Sequence, residues 1–415
     1  MEANSHIIEY QNKNKPFQIL TGIAILLVVC GHLDLRVLTI GDLFPYYSFH
    51  VMIFLFVSGY FYKEKNETNL LQYIIRKAKH LLLPYFLWNI FYGILVTILH
   101  KMGFGFGSDL SFKSLLIDTF ADGHQYMLNF ASWFVPALFL VQVVNVLGRK
   151  VLRVLADNKV FRNRTAPSAS ERPDSKRPDN KRPDNKRTYY KRIDCKEAGI
   201  LLITLLLGIT TVYLAIEGHV WGYWKLPGRI LFMLPVYEMG IFYKKILEKY
   251  ANKIPDGVML LAVLIIQFIV VRTCNGLAFS AVWCSSFANG PIIPYVTTIT
   301  GIIFWYRISK MLAKIPKVSH IVAYIGDRSF SVMMHHVLGF FIVNTIFYFA
   351  YTSQLASAFA NYDVHSYLYS VDYVYWIHDN PFTKWIYLAA GLTISLLLYK
   401  AEAAVRNIVK KRQHE

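Results

Sequence analysis

The chain has 415 residues, of which 55% are hydrophobic and 16% aromatic, and its mean hydropathy is positive. Apolar content on this scale, gathered in long runs, excludes an ordinary soluble domain. The formal net charge is +18, but Lys and Arg lie between the apolar runs rather than on one patch, which excludes nucleic acid as a partner and reads as membrane topology.

Residues 1–16 form a polar tail with Lys13 and Lys15. Two apolar runs follow, 17–35 and 45–62, around a polar joint that includes Asp34 and Gly41. Each is long enough to cross a hydrocarbon core, which takes about 20 helical residues. No small-residue cleavage site follows the first run, so a retained signal anchor is expected. His32 lies near the end of the first run and His50 near the start of the second. A helical hairpin sets the two imidazoles at similar depth. A charged side chain at that depth costs about 3 kcal/mol or more, so ionisable groups kept there point to a site.

A charged stretch over 63–80 ends in Arg76, Lys77 and Lys79 and leads to a third span, 81–99. Residues 101–131 are too polar to span, and a fourth span covers 132–148. The segment 149–197 is a different material. It is strongly basic and carries three pentads beginning at Arg172, Arg177 and Arg182. It lacks the apolar residues to offset its ordering entropy and is expected to be a disordered cytoplasmic loop. Six further spans are expected at about 198–216, 230–243, 257–271, 294–306, 329–350 and 385–399, followed by a basic tail over 403–415. Alternate loops hold most of the Lys and Arg, which sets both termini in the cytoplasm. The expected fold is therefore all-α: a polytopic helical bundle of about ten transmembrane helices, 17–148 and 198–402, in the cell membrane. Cys274 and Cys284 share one outer loop, either as a disulfide or as two separate thiols. The outer loop 351–384 is dense in Tyr and holds Trp376, His365 and His378. It reads either as an interfacial aromatic belt or as a sugar-stacking surface.

Several motifs resemble the acyltransferase 3 family of integral-membrane O-acyltransferases, which includes fucose 4-O-acetylase-like proteins. They are Gly31-His32 closing the first helix, Phe49-His50-Val51-Met52 leading into Phe56-Val57-Ser58-Gly59-Tyr60, and the basic cluster before Leu83-Pro84-Tyr85. Trp133-Phe134-Val135-Pro136-Ala137-Leu138-Phe139 is similar to the family as well, as is His336 seven residues after Ser329. The family places Arg or Lys eleven residues before the first-helix His; Thr21 stands there instead. The resemblance implies O-acylation of sugars or polysaccharides, with acyl-CoA, most simply acetyl-CoA, as co-substrate and no bound cofactor.

Acyl transfer to a sugar hydroxyl needs a base, because an alcohol is a weak nucleophile near neutral pH. It also needs donors for the oxyanion and positive charge for the donor's phosphates. His32 is the candidate base, with His50 orienting it or donating to the oxyanion. His336 and Glu238 are the further catalytic candidates, Glu238 needing a partner such as a histidine or Arg229. Adjacent His335 and His336 point about 100° apart on a helix, so one of them is expected to face the site. Arg76, Lys79, Ser58, Trp133 and Arg229 are the substrate-binding candidates, although Ser58 and Gly59 equally suit close helix contact. Arg76 and Lys79, three apart, would share a helix face. No metal-binding spacing occurs. Intramembrane His and Glu also suit a proton-coupled transporter or flippase, against which stands the lack of a repeat between the two halves. A membrane scaffold working through the basic loop is the third class.

Overall fold

The computed structural model describes residues 2–35, 40, 42–157, 185–354 and 357–412. The fold is helical, and no named strand occurs among the described residues. The bundle is built from α1 (Glu2–His32), α2 (His50–Tyr60), α3 (Leu70–Lys101), α4 (Phe134–Asp157), α5 (Asn185–Ile216) and α6 (Lys225–Phe242). It continues through α7 (Asp256–Thr273), α8 (Ile293–Leu312), α9 (Pro316–Gly326), α10 (Ser329–Thr352) and α11 (Thr383–Arg412). Among the described residues seven of these, α1, α3, α4, α5, α7, α10 and α11, are long and apolar enough to cross a membrane. Their outward faces carry large apolar side chains, among them Leu206, Leu261, Phe268, Phe349 and Leu397, all exposed. An apolar exterior around a hydrogen-bonded helical bundle is what hydrocarbon demands of a spanning protein.

Three of the ten expected spans fall outside those seven. The run 45–62 does not form one long helix. Pro45 precedes a short 3-10 turn over Tyr46–Ser48, Phe49 is non-helical at φ −145°, and α2 is left with 11 residues. That is about 16 Å of rise, roughly half a hydrocarbon core. The other two, α6 and α8, are long enough but hold buried Lys225, Arg229, Glu238 and Arg307. An additional short helix, α9, fills the stretch between the expected eighth and ninth spans.

Glycines let these shorter helices sit deep in the bundle. A Cβ on Gly59 of α2 would lie 1.9 Å from the Tyr237 carbonyl oxygen of α6, and one on Gly240 would lie 2.1 Å from that of Phe56. The α1–α9 contact is equally close: a Cβ on Gly22 would lie 2.1 Å from the Val322 carbonyl oxygen. Thr21, where the family has a basic residue, bonds back to the Phe17 and Gln18 carbonyls at this crossing.

The basic segment 149–197 is helical at both described ends: 149–157 extend α4 and 185–197 open α5. The first two pentads lie outside the described residues. Arg149 and Glu197, expected in that loop, are both buried. Cys274 and Cys284 are free thiols.

Candidate active site

The end of α1 and the start of α2 meet around Tyr46: a Cβ on Gly31, next to His32, would lie 2.8 Å from its ring, and the same ring stands beside His50. The third imidazole comes from α10. His336 stacks on His32 with ring centroids 5.3 Å apart and planes 25° apart. His32 and His50 are half-buried, whereas His336 is fully buried. The Nδ1 of His336 lies 2.7 Å from the Val332 carbonyl oxygen one turn back. A carbonyl only accepts, so the proton sits on Nδ1. The Nε2 then carries a lone pair, and it is buried without a hydrogen-bond partner. A polar nitrogen left unpaired inside a bundle is costly, and an unpartnered basic lone pair beside another imidazole is suited to accepting a proton. His50 Nδ1 faces the Tyr46 backbone without a well-formed hydrogen bond, and the Tyr46 ring stands edge-on to it at 6.0 Å.

The neighbouring His335 turns away, as helical geometry requires. Its Nδ1 is 2.7 Å from the Tyr92 hydroxyl on α3, and its ring packs edge-on against Trp88 at 4.2 Å. Both histidines of the pair are therefore buried, and only one joins His32.

An aromatic wall closes the site. Phe130, in the short 3-10 turn Phe130–Trp133, stands edge-on to His32 at 4.7 Å. His124 stacks on Phe130 at 5.9 Å and on Trp283 at 4.6 Å. Lys225 lies over Trp283 at 4.0 Å and pairs with Asp122. Trp133 and Arg229 meet here: the guanidinium sits 4.9 Å over the indole, and its Nε donates to the Val282 carbonyl at 2.9 Å. From His32 through Phe130, His124, Trp283, Lys225, Asp122 and Arg229 to Trp133 the side chains form one continuous run of contacts. Burial pushes the His124 imidazole down to about 4, so it is neutral at working pH.

The structure separates the remaining sequence candidates from this cluster. Glu238 is bound neither by a histidine nor by Arg229. Its carboxylate receives Arg149 and Asn145, and Arg149 also pairs with Glu197 at 2.8 Å. Glu238 follows Arg229 by nine residues, about 13 Å along α6, so it belongs to a buried ion network at the other end of the helix. Ser58 accepts from Gln142 of α4 at 2.7 Å, which ties α2 to α4. A π turn over Ala78–Leu82 follows Lys77 directly, so Lys79 sits inside it and the regular i, i+3 spacing from Arg76 does not hold there. Arg76 and Lys77 converge on the Tyr73 ring, at 5.8 and 5.7 Å, and Arg76 and Lys79 are both exposed.

Residues that sequence reasoning missed include His124, Phe130 and Trp283. Their signal was weak: the glycine- and aromatic-bearing stretch before the Trp133 motif. Among the described residues no three His, Cys, Asp or Glu side chains converge as a metal ion requires.

A family model described as an acyltransferase domain, of the acyltransferase 3 type, matches residues 17–400. No curated protein and no solved structure matches the chain. The match reaches from within α1 to within α11 and includes His32, His50 and His336, and on that ground the chain belongs to the acyltransferase 3 family.

Proposed function

We propose that the protein moves an acyl group, acetyl, from cytosolic acyl-CoA to a hydroxyl of a sugar or cell-surface polysaccharide at the outer face of the cell membrane. It does so with both termini in the cytoplasm. Family membership supports the acyltransferase class, and the half-buried His32 stacked on a buried, unpartnered His336 carries the assignment of the base. His32 is reachable by an acceptor and takes the hydroxyl proton as the oxygen attacks the thioester carbonyl. The C–S bond then breaks, and the thiol of CoA leaves with a proton. His336 backs His32 with a second basic nitrogen. His50 and Arg229 supply donors toward the developing oxyanion.

The donor's nucleotide carries phosphate charge and stays at the cytoplasmic face, with the pantetheine arm reaching inward. An apolar cavity of about 270 Å³ lies between α2, α6 and α8, bounded by Phe56, Tyr243 and Tyr306. It suits such an arm. Arg307 on its wall is already held by Asp256 and by the Ala251 and Ile254 carbonyls, so it is not the phosphate ligand.

The test is acyl transfer in membranes that carry His32→Ala. Activity is expected to fall by about 10² or more, the usual contribution of a general base, with the protein still inserted. Full transfer by a normally expressed variant removes His32 from this role. Uptake of an unmodified substrate with no acylated product would favour the transporter instead.

A further inference from the structure

In the outer loop between α10 and α11, Tyr369, Trp376 and Phe382 are exposed, but other tyrosines there, with Tyr387 of α11, bond inward to the protein. The Tyr362 hydroxyl donates to the Asn344 carbonyl at 2.8 Å, that of Tyr375 to the Ala358 carbonyl at 2.6 Å, and that of Tyr387 to Asn344 Oδ1 at 2.5 Å. The rings pack against one another, Tyr362 tilted against Tyr375 at 5.1 Å and edge-on to Tyr373 at 5.5 Å. On this rigid base sits a cleft of about 380 Å³, bounded by Tyr373, Trp376, Asn361, Asp363, His378 and Asp379. Ligand clefts run from about 300 to 1,000 Å³.

Three features show what the cleft is made for. Its walls combine aromatic rings with carboxylates, an amide and an imidazole, the groups that stack on a sugar ring and grip its hydroxyls. It holds two carboxylates and neither Lys nor Arg among its lining residues. Asp363 is fixed as a charged acceptor, because the Ser366 amide and hydroxyl hold its carboxyl below the usual range. Finally, His378 and Asp379 are consecutive left-handed residues, φ 51° and 55°. Neither is glycine, so the pair carries strain of about 1–3 kcal/mol each, which tends to collect where a loop clamps a ligand.

The cleft is also mechanically joined to the histidines. Lys384 lies 4.6 Å over the Trp376 ring and donates to the Asp34 carbonyl at 3.2 Å, two residues beyond His32. Along α10, Asn344 braces the base of the loop eight residues beyond His336, about 12 Å of rise. That span exceeds one sugar ring.

We propose that this cleft is a distal acceptor subsite, which holds a sugar unit free of carboxylate and phosphate groups while another unit of the same glycan is acylated at His32. The proposal rests on the reading of the protein as a glycan acyltransferase. It narrows the acceptor to an oligomeric glycan of neutral or amino sugars.

The test uses the full chain in lipid nanodiscs and fluorescence anisotropy of four labelled hexasaccharides: chitin, chitosan and malto-hexamers, with oligogalacturonate as the acidic control. At least one of the first three is expected to bind about tenfold tighter than the acidic control. Trp376→Ala should weaken that binding about tenfold, the loss of one stacking contact, while Trp376→Phe keeps most of it. Asp379→Asn should weaken the chitosan hexamer most. Tightest binding by oligogalacturonate, no binding by the other three, or unchanged binding in both Trp376→Ala and Asp379→Asn overturns the subsite. The base assignment is read from acyl transfer by His32→Ala and the subsite from hexasaccharide binding by the protein with His32 intact, so the failure of one is distinguished from the failure of the other.

Discussion

At the scale of single residues, the proposed chemistry turns on a buried imidazole nitrogen. His336 Nε2 is a lone pair without a partner, so removing it should slow the chemical step more than it weakens binding. His336→Asn is expected to lower kcat by about 10² with KM little changed; an equal fall from a raised KM would make His336 a binding residue. His124 gives the fold a pH dependence. Its folded value of about 4 lies below the ordinary 6.5, and burial is the main cause. As pH falls through 6.5 the unfolded chain takes a proton that the folded chain refuses, so stability is lost between about 6.5 and 4, by up to about 3 kcal/mol. Thermal unfolding followed over that range should show a shallower fall in His124→Gln than in wild type. His32, His50 and His336 were legible in the sequence because an imidazole in an apolar run is conspicuous. His124 was not, since it sits in a polar connecting stretch and gains its meaning only when Phe130 and Trp283 fold against it. Glu238 was conspicuous for the same reason as the histidines, yet its partner Arg149 lies in a segment that reads as loop.

At the scale of elements, the sequence pattern found where helices are but not how two of them are broken. The apolar run 45–62 looks continuous because the 3-10 turn at Tyr46–Ser48 is made of residues a helix also accepts. The π turn in α3 is invisible to an i, i+3 argument, because it inserts a residue into the spacing without changing composition. Its consequence for the donor is specific. Arg76 and Lys77 gather on Tyr73, and Arg76 also donates to Asn66 at 3.1 Å, whereas Lys79 lies inside the π turn. If the acyl-CoA phosphates dock at this mouth, the double change Arg76→Gln with Lys77→Gln should raise the apparent KM for acyl-CoA about tenfold, the loss of one or two charge-assisted hydrogen bonds. Lys79→Gln should leave it near wild type. Initial rates at fixed acceptor measure both, and a larger effect at Lys79 would return the docking face to the one an unbroken helix presents.

At the scale of the whole molecule, the question is what joins the halves on either side of the basic segment. The described ends of that segment are clamped. Arg149 of α4 pairs with Glu197 of α5 and Glu238 of α6, and Lys245 reaches from the end of α6 to both Glu197 and Glu64, at 2.6 and 2.5 Å. Arg153 adds a pair to buried Glu67 at 2.6 Å. Such a network holds three helix ends without help from the chain between them, so length and charge over 163–187 should be dispensable. Loop-closure entropy changes by only about 0.6 kcal/mol for each doubling of length, and cutting the connection 158–184 back to 158–162 is little more than two such steps, about 1.5 kcal/mol. Breaking the clamp is another matter: a buried charge stripped of its partner costs about 3–5 kcal/mol. Excision of 163–187 is therefore expected to leave acyl transfer near wild type. Arg149→Ala should instead lose folded protein, seen as a collapsed monodisperse peak in fluorescence-detected size exclusion, and Glu238→Gln should lose less because it removes only one side of the shared charge. If the excised protein elutes normally but no longer transfers acyl groups, the basic segment itself takes part in the work, and the enzyme cannot be described by its helices alone.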